Sequence, residues 1–298
     1  MLNRAVGLSL LALLAGNTAW AQSSTEEVIS IPSQGANMVG TLSLPEGEPA
    51  PVVLLFHGFT GSRDELPIPG TDEGVFSRTA RVLAEHGYAS LRIDFIGSGE
   101  SDGEFADTTF EGQIADGLAA LEYVKADPRI AGDDIYIIGW SQGGLVATAV
   151  AGRSDVPDAV ALWAAVADPL GTFTGLLGED AIKAGLSTGD TPMTVPLAWG
   201  GETALKQGYF EQLSTVDPRA EIASYDGPVF VAQGSADVVV RPEAADMLID
   251  AHEGPEELWV RDMDHAFNVL TEGGSESGPA TLDEMIAATI AFFDAQAD

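Results

Sequence analysis

Residues 139–144 read Gly-Trp-Ser-Gln-Gly-Gly, between the apolar run DDIYII (133–138) and the stretch LVATAVAG (145–152). A serine between an apolar strand and a helical pattern, with glycine two residues before and two after, fits a sharp strand-to-helix turn. Such a turn holds a hydroxyl out at the carboxyl edge of a sheet. Leu145, Val146, Ala149 and Val150 supply the helical spacing. The same Gly-x-Ser-x-Gly template recurs as GESDG (99–103), which also follows an apolar run, LRIDF. There the chain continues as EFADTT, acidic and turn-like, with no apolar face on which to start a helix. Context therefore selects Ser141 over Ser101 as the reactive hydroxyl.

Outward from the turn, strand-like and helix-like segments alternate. PVVLLF (51–56) is continuously apolar, as expected of a strand buried on both faces. FSRTARVLAEHG is helical, YASLRIDF a strand and TFEGQIADGLAALEYVKAD helical. Past the turn come the strands DAVALWAAV, PVFVAQ and ELWV and the helices PEAADMLIDAH and TLDEMIAATIAFFDAQ. This rhythm predicts an α/β fold with a mostly parallel central sheet and helices on both faces. Residues 168–215 break it, being rich in Gly, Thr and Pro with scattered aromatics, and are expected to form a small inserted cap.

A serine hydroxyl needs a base, and the base needs an orienting carboxylate. Of the four histidines, His86 and His252 sit where helices are expected to end, and His57 follows the third strand in a loop-ordering position. His265, in RDMDHAFNV after the last expected strand, lies where ligands gather at a sheet edge. The carboxylate is expected from Asp237, in the turn after PVFVAQGSA, with Asp262 and Asp264 as nearer but less well placed alternatives. Two backbone N–H groups complete an oxyanion site: that of Gln142, and that of Phe59 in FHGFTGS, where Gly58 permits close approach.

Composition narrows the rest. The chain has 298 residues, 13 Lys plus Arg against 46 Asp plus Glu, and a formal charge of −33. That balance argues against nucleic acid or an anionic membrane surface as partner and fits a solvated acidic exterior. Cysteine is absent, which removes thiol nucleophiles and disulfides. The first 21 residues, with Arg4, an apolar stretch and Ala19-Trp20-Ala21, have the form of a cleaved export signal. A mature α/β domain over 22–298 in the periplasm or outside the cell is the corresponding expectation, without stable membrane association. The chemistry calls for no cofactor or metal.

Taken together, LLFHGFTGSRDE, LRIDFIGSGESDGEF, GWSQGG, QGSADVVV and DMDHAF resemble the α/β-hydrolase superfamily, and within it the bacterial cinnamoyl/feruloyl esterases. The elbow carries Trp140 where that group more often has His. The resemblance implies a Ser141–His265–Asp237 triad, an oxyanion hole from Phe59 and Gln142, and a cap at 168–215 over the acyl pocket. It implies a serine esterase acting on small to medium esters, hydroxycinnamate esters among them. Trp199, Phe173 and Tyr209 are the aromatics available to line that pocket. Two other readings stay open: a serine peptidase of the same fold, and a catalytically silent protein that binds a small acid.

Overall fold

The computed structural model describes residues 24–47, 49–274 and 278–297, so the expected export signal at 1–21 lies outside the described residues. An eight-stranded sheet forms the centre. Its strands are β1 (Ser24–Ser33), β2 (Ala36–Pro45), β3 (Ala50–Phe56), β4 (Ala89–Asp94), β5 (Ile130–Trp140) and β6 (Ala159–Trp163). A separate hairpin, β7 (Met193–Pro196) with β8 (Glu202–Leu205), precedes β9 (Val229–Gly234) and β10 (Glu256–Arg261). The sheet order is β1-β2-β4-β3-β5-β6-β9-β10. The β1·β2 and β2·β4 pairs are antiparallel, and every pair from β4 to β10 is parallel.

The continuous apolar runs are explained by two-sided burial. In β3, Val52, Leu54 and Phe56 enter one core layer and Val53 and Leu55 the other; in β5, Ile135 and Ile137 oppose Tyr136 and Ile138. The first layer is closed by α2 (Phe110–Ala126), α3 (Gln142–Ser154) and α8 (Glu243–Ala251). The second is closed by α1 (Val75–Glu85) and α10 (Ala280–Asp294). These β3 and β5 residues are thus apolar whichever way they point, which is the pattern strands buried on both faces of a parallel sheet show.

Residues 168–215 lie between β6 and β9. They hold α4 (Pro169–Leu177), α5 (Glu179–Gly185), the β7–β8 hairpin and α6 (Gln207–Gln212), with α7 (Pro218–Ile222) following before β9. After the hairpin the Lys206 N–H donates to the carbonyl of Ala106, linking the segment to the 3₁₀ turn Phe105–Asp107. A four-residue α9 (Val269–Glu272) follows the loop after β10. Among the described residues no helix is long and apolar enough to cross a membrane.

Register decides where the loops gather. Phe56 pairs with Gly139, Trp140 with Trp163 and Gly234 with Arg261, so β3, β5, β6, β9 and β10 end along one edge. The chain leaves β3 towards β4 on one side and returns to β5 on the other, which opens a crevice at that edge.

Candidate active site

Ser141 is built by the backbone before any side chain is considered. It stands between β5 and α3 with φ 56° and ψ −116°, a positive-φ conformation that a non-glycine residue adopts only when its surroundings impose it. The surroundings are tight. A Cβ on Gly139 would lie 2.4 Å from the Gly143 carbonyl oxygen, and one on Gly143 would lie 2.0 Å from the Phe56 carbonyl oxygen. The Ser141 N–H donates to Trp163 O (3.0 Å), and Val166 N–H donates to Ser141 O (3.1 Å), so the end of β6 and the loop after it clamp the turn. The Gln142 side chain is fully buried; its Nε2 donates to Gln113 Oε1 (2.6 Å) and its Oε1 accepts from the Tyr209 hydroxyl (2.7 Å).

The expected partners converge on this serine. His265 Nε2 lies 3.0 Å from Ser141 Oγ, and His265 Nδ1 lies 2.8 Å from Asp237 Oδ2. A proton on Nδ1 satisfies both contacts, with the imidazole donating to the carboxylate and accepting from the hydroxyl. Asp237 is 3 % exposed, and its other oxygen accepts from the N–H groups of Val239 (2.8 Å) and Val240 (3.0 Å). The alternatives lie elsewhere: Asp264 accepts from Ala266 and Asn268 N–H (2.9 Å each) and shapes the loop, while Asp262 is exposed. Asp264 is therefore held in the turn rather than facing solvent freely. Ser101 pins loops, donating to Asp94 O (2.6 Å) and accepting from Val39 N–H (2.8 Å). His86 and His252 occupy helix C-caps and bond to the carbonyls of Val82 and Gly227.

The loop after β3 carries Phe59, whose amide is the other expected oxyanion donor. His57 is fully buried; its Nδ1–H donates to Gly58 O (2.8 Å) and its Nε2 accepts from Phe95 N–H (3.2 Å). In a trans peptide the C=O and the following N–H point in opposite directions. With Gly58 O turned to His57, Phe59 N–H is turned away from it. Neither Phe59 N–H nor Gln142 N–H has a protein acceptor among the described residues.

Burial also pushes the His57 imidazole down from 6.5 to about 4, against the raising influence of Gly58 O and Asp94. The unfolded chain takes up this proton below about pH 6.5 while the folded chain refuses it until about pH 4, so stability falls on acidification across that window. His57→Gln is expected to lose about 2 kcal/mol less than the wild type between pH 7 and pH 5, read from urea unfolding at the two pH values. Equal losses would show that His57 does not set this dependence.

A cavity of about 670 Å³ opens over Ser141 and His265. Its walls are largely apolar and include Phe59, Phe173, Leu176, Trp199 and Leu270. Phe59 meets Phe173 edge-on (5.2 Å between centroids) and Trp199 edge-on (6.4 Å). Trp199 is 54 % exposed at the rim. Tyr209, expected in the same lining, is placed beneath it: fully buried, packed on Phe110 and Phe173, its hydroxyl spent on Gln142. Packing and a satisfied hydroxyl account for that tyrosine.

Two contacts escaped sequence reasoning. Trp140 sends its indole N–H to the His265 carbonyl oxygen (3.2 Å) and packs its ring near the imidazole, bracing the histidine loop. Glu65 lines the cavity and accepts from Gly58 N–H. A hydrophobic residue inside the elbow signalled the first; nothing in GSRDELP distinguishes the second from a solvated acid.

A parallel sheet with a serine elbow at its carboxyl edge, and a histidine and an aspartate from later loops joined to it, defines an α/β hydrolase. Residues 75–294 match the prolyl oligopeptidase family (Peptidase_S9), and the chain belongs to that family. Among solved structures it is similar to Est1E from Butyrivibrio proteoclasticus with ferulic acid bound, with 25 % identity and a TM-score of 0.71, covering 90 % of this chain and 98 % of that one. It is also similar in fold to the α/β hydrolase GrgF from Penicillium sp. sh18, with 18 % identity and a TM-score of 0.72, covering 92 % of this chain and 99 % of that one. An uncharacterized 31.7 kDa Escherichia coli protein of the traX-finO intergenic region is 28 % identical over 149 residues, 50 % of this chain and 49 % of the relative. The chain thus spans about half the length of the curated relatives it matches.

Proposed function

We propose that this hydrolase is an exported serine carboxylic-ester hydrolase, periplasmic or secreted, that works through an acyl-enzyme. The observation that carries the reading is the hydrogen-bonded Ser141–His265–Asp237 chain at the floor of an apolar, aromatic cavity. Ser141 Oγ attacks the ester carbonyl while His265 Nε2 takes its proton, and the oxyanion accepts from Phe59 and Gln142 N–H. His265 returns the proton to the departing alcohol, then activates the water that releases the acid. Asp237 holds the imidazole in the tautomer both steps require.

Segment 168–215 acts as a cap, since Thr172, Phe173, Leu176 and Trp199 from it wall the cavity. An aromatic wall of this size suits small to medium acyl groups, including hydroxycinnamoyl groups. The ferulic acid bound to Est1E supports that substrate class. The family's name favours a second reading, amide hydrolysis by the same parts.

A substrate panel separates them. p-Nitrophenyl acetate and methyl ferulate are expected to turn over at least about 100-fold faster, by kcat/KM, than an aminoacyl p-nitroanilide, a difference of about 3 kcal/mol in barrier. Faster turnover of the anilide would favour the peptidase reading, and no turnover of any of the three would favour a silent binder of small acids.

A further inference from the structure

Glu65 is an acid placed where an esterase pocket has no evident use for one. A Cβ built on Gly58 would lie 3.4 Å from Ser141 Cβ and 3.6 Å from Glu65 Oε1, so nucleophile and carboxyl flank the same glycine. The site is built around this side chain. Glu65 holds φ 60°, a strained conformation for a residue with a Cβ. Its segment is tied to the start of α1, with Phe76 N–H donating to Asp64 O (3.0 Å) and Val75 N–H to Leu66 O (3.1 Å). Gly61 makes room, because a Cβ there would lie 2.5 Å from Glu65 Oε1.

Glycine has wide freedom in φ and ψ, so the direction of the Phe59 N–H is undetermined unless the peptides on both sides of Gly58 are held. His57 Nδ1–H holds the following peptide through Gly58 O, and Glu65 holds the preceding one through Gly58 N–H. We propose that Glu65 is a positioning residue that aims the Phe59 amide at the oxyanion by fixing Gly58. This rests on Ser141 being the nucleophile.

A pH signature follows. Enclosure pushes the Glu65 carboxyl up from 4.5 to about 8, with the N–H groups of Gly58 and Leu66 opposing the rise. No neighbouring charge enters that balance. Arg63 turns to Asp94 and Glu100, Asp64 faces Arg92 (3.2 Å), and Glu73 on the approach to α1 is paired with Arg78 and Arg81. Across the cavity His265 is the one other ionisable side chain among the described lining residues, with its Nδ1 committed to Asp237. Below about pH 8 Glu65 is a neutral acceptor for Gly58 N–H. Above it, a negative charge sits beside the place where the oxyanion develops, so turnover declines as the pH rises.

The test is kcat and KM for p-nitrophenyl acetate from pH 6 to 10 on the wild type, Glu65→Gln and Glu65→Leu, with near-UV circular dichroism reporting folding. The wild type is expected to lose about tenfold or more in kcat above pH 8 while folded. Glu65→Gln, which keeps an acceptor without the charge, should hold kcat within a few-fold at pH 7 and lose the alkaline decline. Glu65→Leu should lower kcat about 10- to 100-fold with KM little changed, part of the loss seen when an oxyanion donor is removed outright. An alkaline decline that persists in Glu65→Gln, or wild-type kcat in folded Glu65→Leu, overturns the proposal. If Glu65→Leu does not fold, the Glu65→Gln profile decides alone. A wild type that a fluorophosphonate does not label overturns the nucleophile reading and this proposal with it; a labelled wild type with an unchanged Glu65→Gln profile overturns this proposal only.

Discussion

Ser141→Ala is expected to reduce kcat for p-nitrophenyl acetate by about 10⁵-fold or more while the variant stays folded. On the proposed mechanism the covalent step belongs to this hydroxyl. Ser141 is the side chain presented to the cavity with an imidazole nitrogen 3.0 Å from its oxygen, whereas Ser101 has its hydroxyl committed to Asp94 O and Val39 N–H. Removing the nucleophile of a serine hydrolase leaves only what binding and the oxyanion site contribute, and losses of about 10⁶-fold are typical. Alanine also suits the position: Ser141 makes no side-chain cap to α3, so the helix loses nothing. Comparing steady-state rates with thermal unfolding of the same preparation checks both halves. A residual rate within about 100-fold of the wild type would place the covalent step on another residue.

Asp237→Asn should lower kcat by about 10³- to 10⁴-fold, with a small change in stability. An amide in place of the carboxylate still offers an oxygen to the N–H groups of Val239 and Val240, which Asp237 Oδ1 now satisfies. Its NH₂ would then face His265 Nδ1, where it can only donate, and the imidazole would be driven to carry its proton on Nε2. That tautomer cannot accept from Ser141 Oγ. The expected size is that of an inverted tautomer in a serine hydrolase triad. Asp264→Asn and Asp262→Asn serve as controls, since neither carboxylate touches the ring. A larger kcat loss in either control than in Asp237→Asn would reassign the orienting acid.

Much of this was legible because the sheet is mostly parallel. A strand covered on both faces favours apolar residues along its length, so β3, β5, β6 and β9 stand out as short apolar runs, and the helices between them fall into place. Ser141 could be separated from Ser101 because only one of the two templates opens an apolar helix. The histidines at helix C-caps were separable for a similar reason: their position already gave them an occupation.

What escaped notice depends on contacts made across long stretches of chain. β7 and β8 are four residues each with little burial, and their sequences MTVP and ETAL show no alternation strong enough to mark a hairpin. Tyr209 reads as a pocket aromatic until its hydroxyl is seen to meet Gln142. Trp140 braces a carbonyl 125 residues away. Glu65 lies in a polar, charged loop, where its backbone takes φ 60° and its carboxyl accepts from Gly58 N–H. Composition and spacing carry no trace of such a turn.

On the proposed reading the Ser141 hydroxyl is the reactive group and His265 activates it. The decisive measurement is to incubate the purified protein with a fluorophosphonate, digest it and weigh the peptides by mass spectrometry. One adduct is expected, on the peptide containing Gly139–Gly144, absent in Ser141→Ala and formed far more slowly in His265→Ala. An adduct on any other residue, or undiminished labelling of Ser141→Ala, would contradict it.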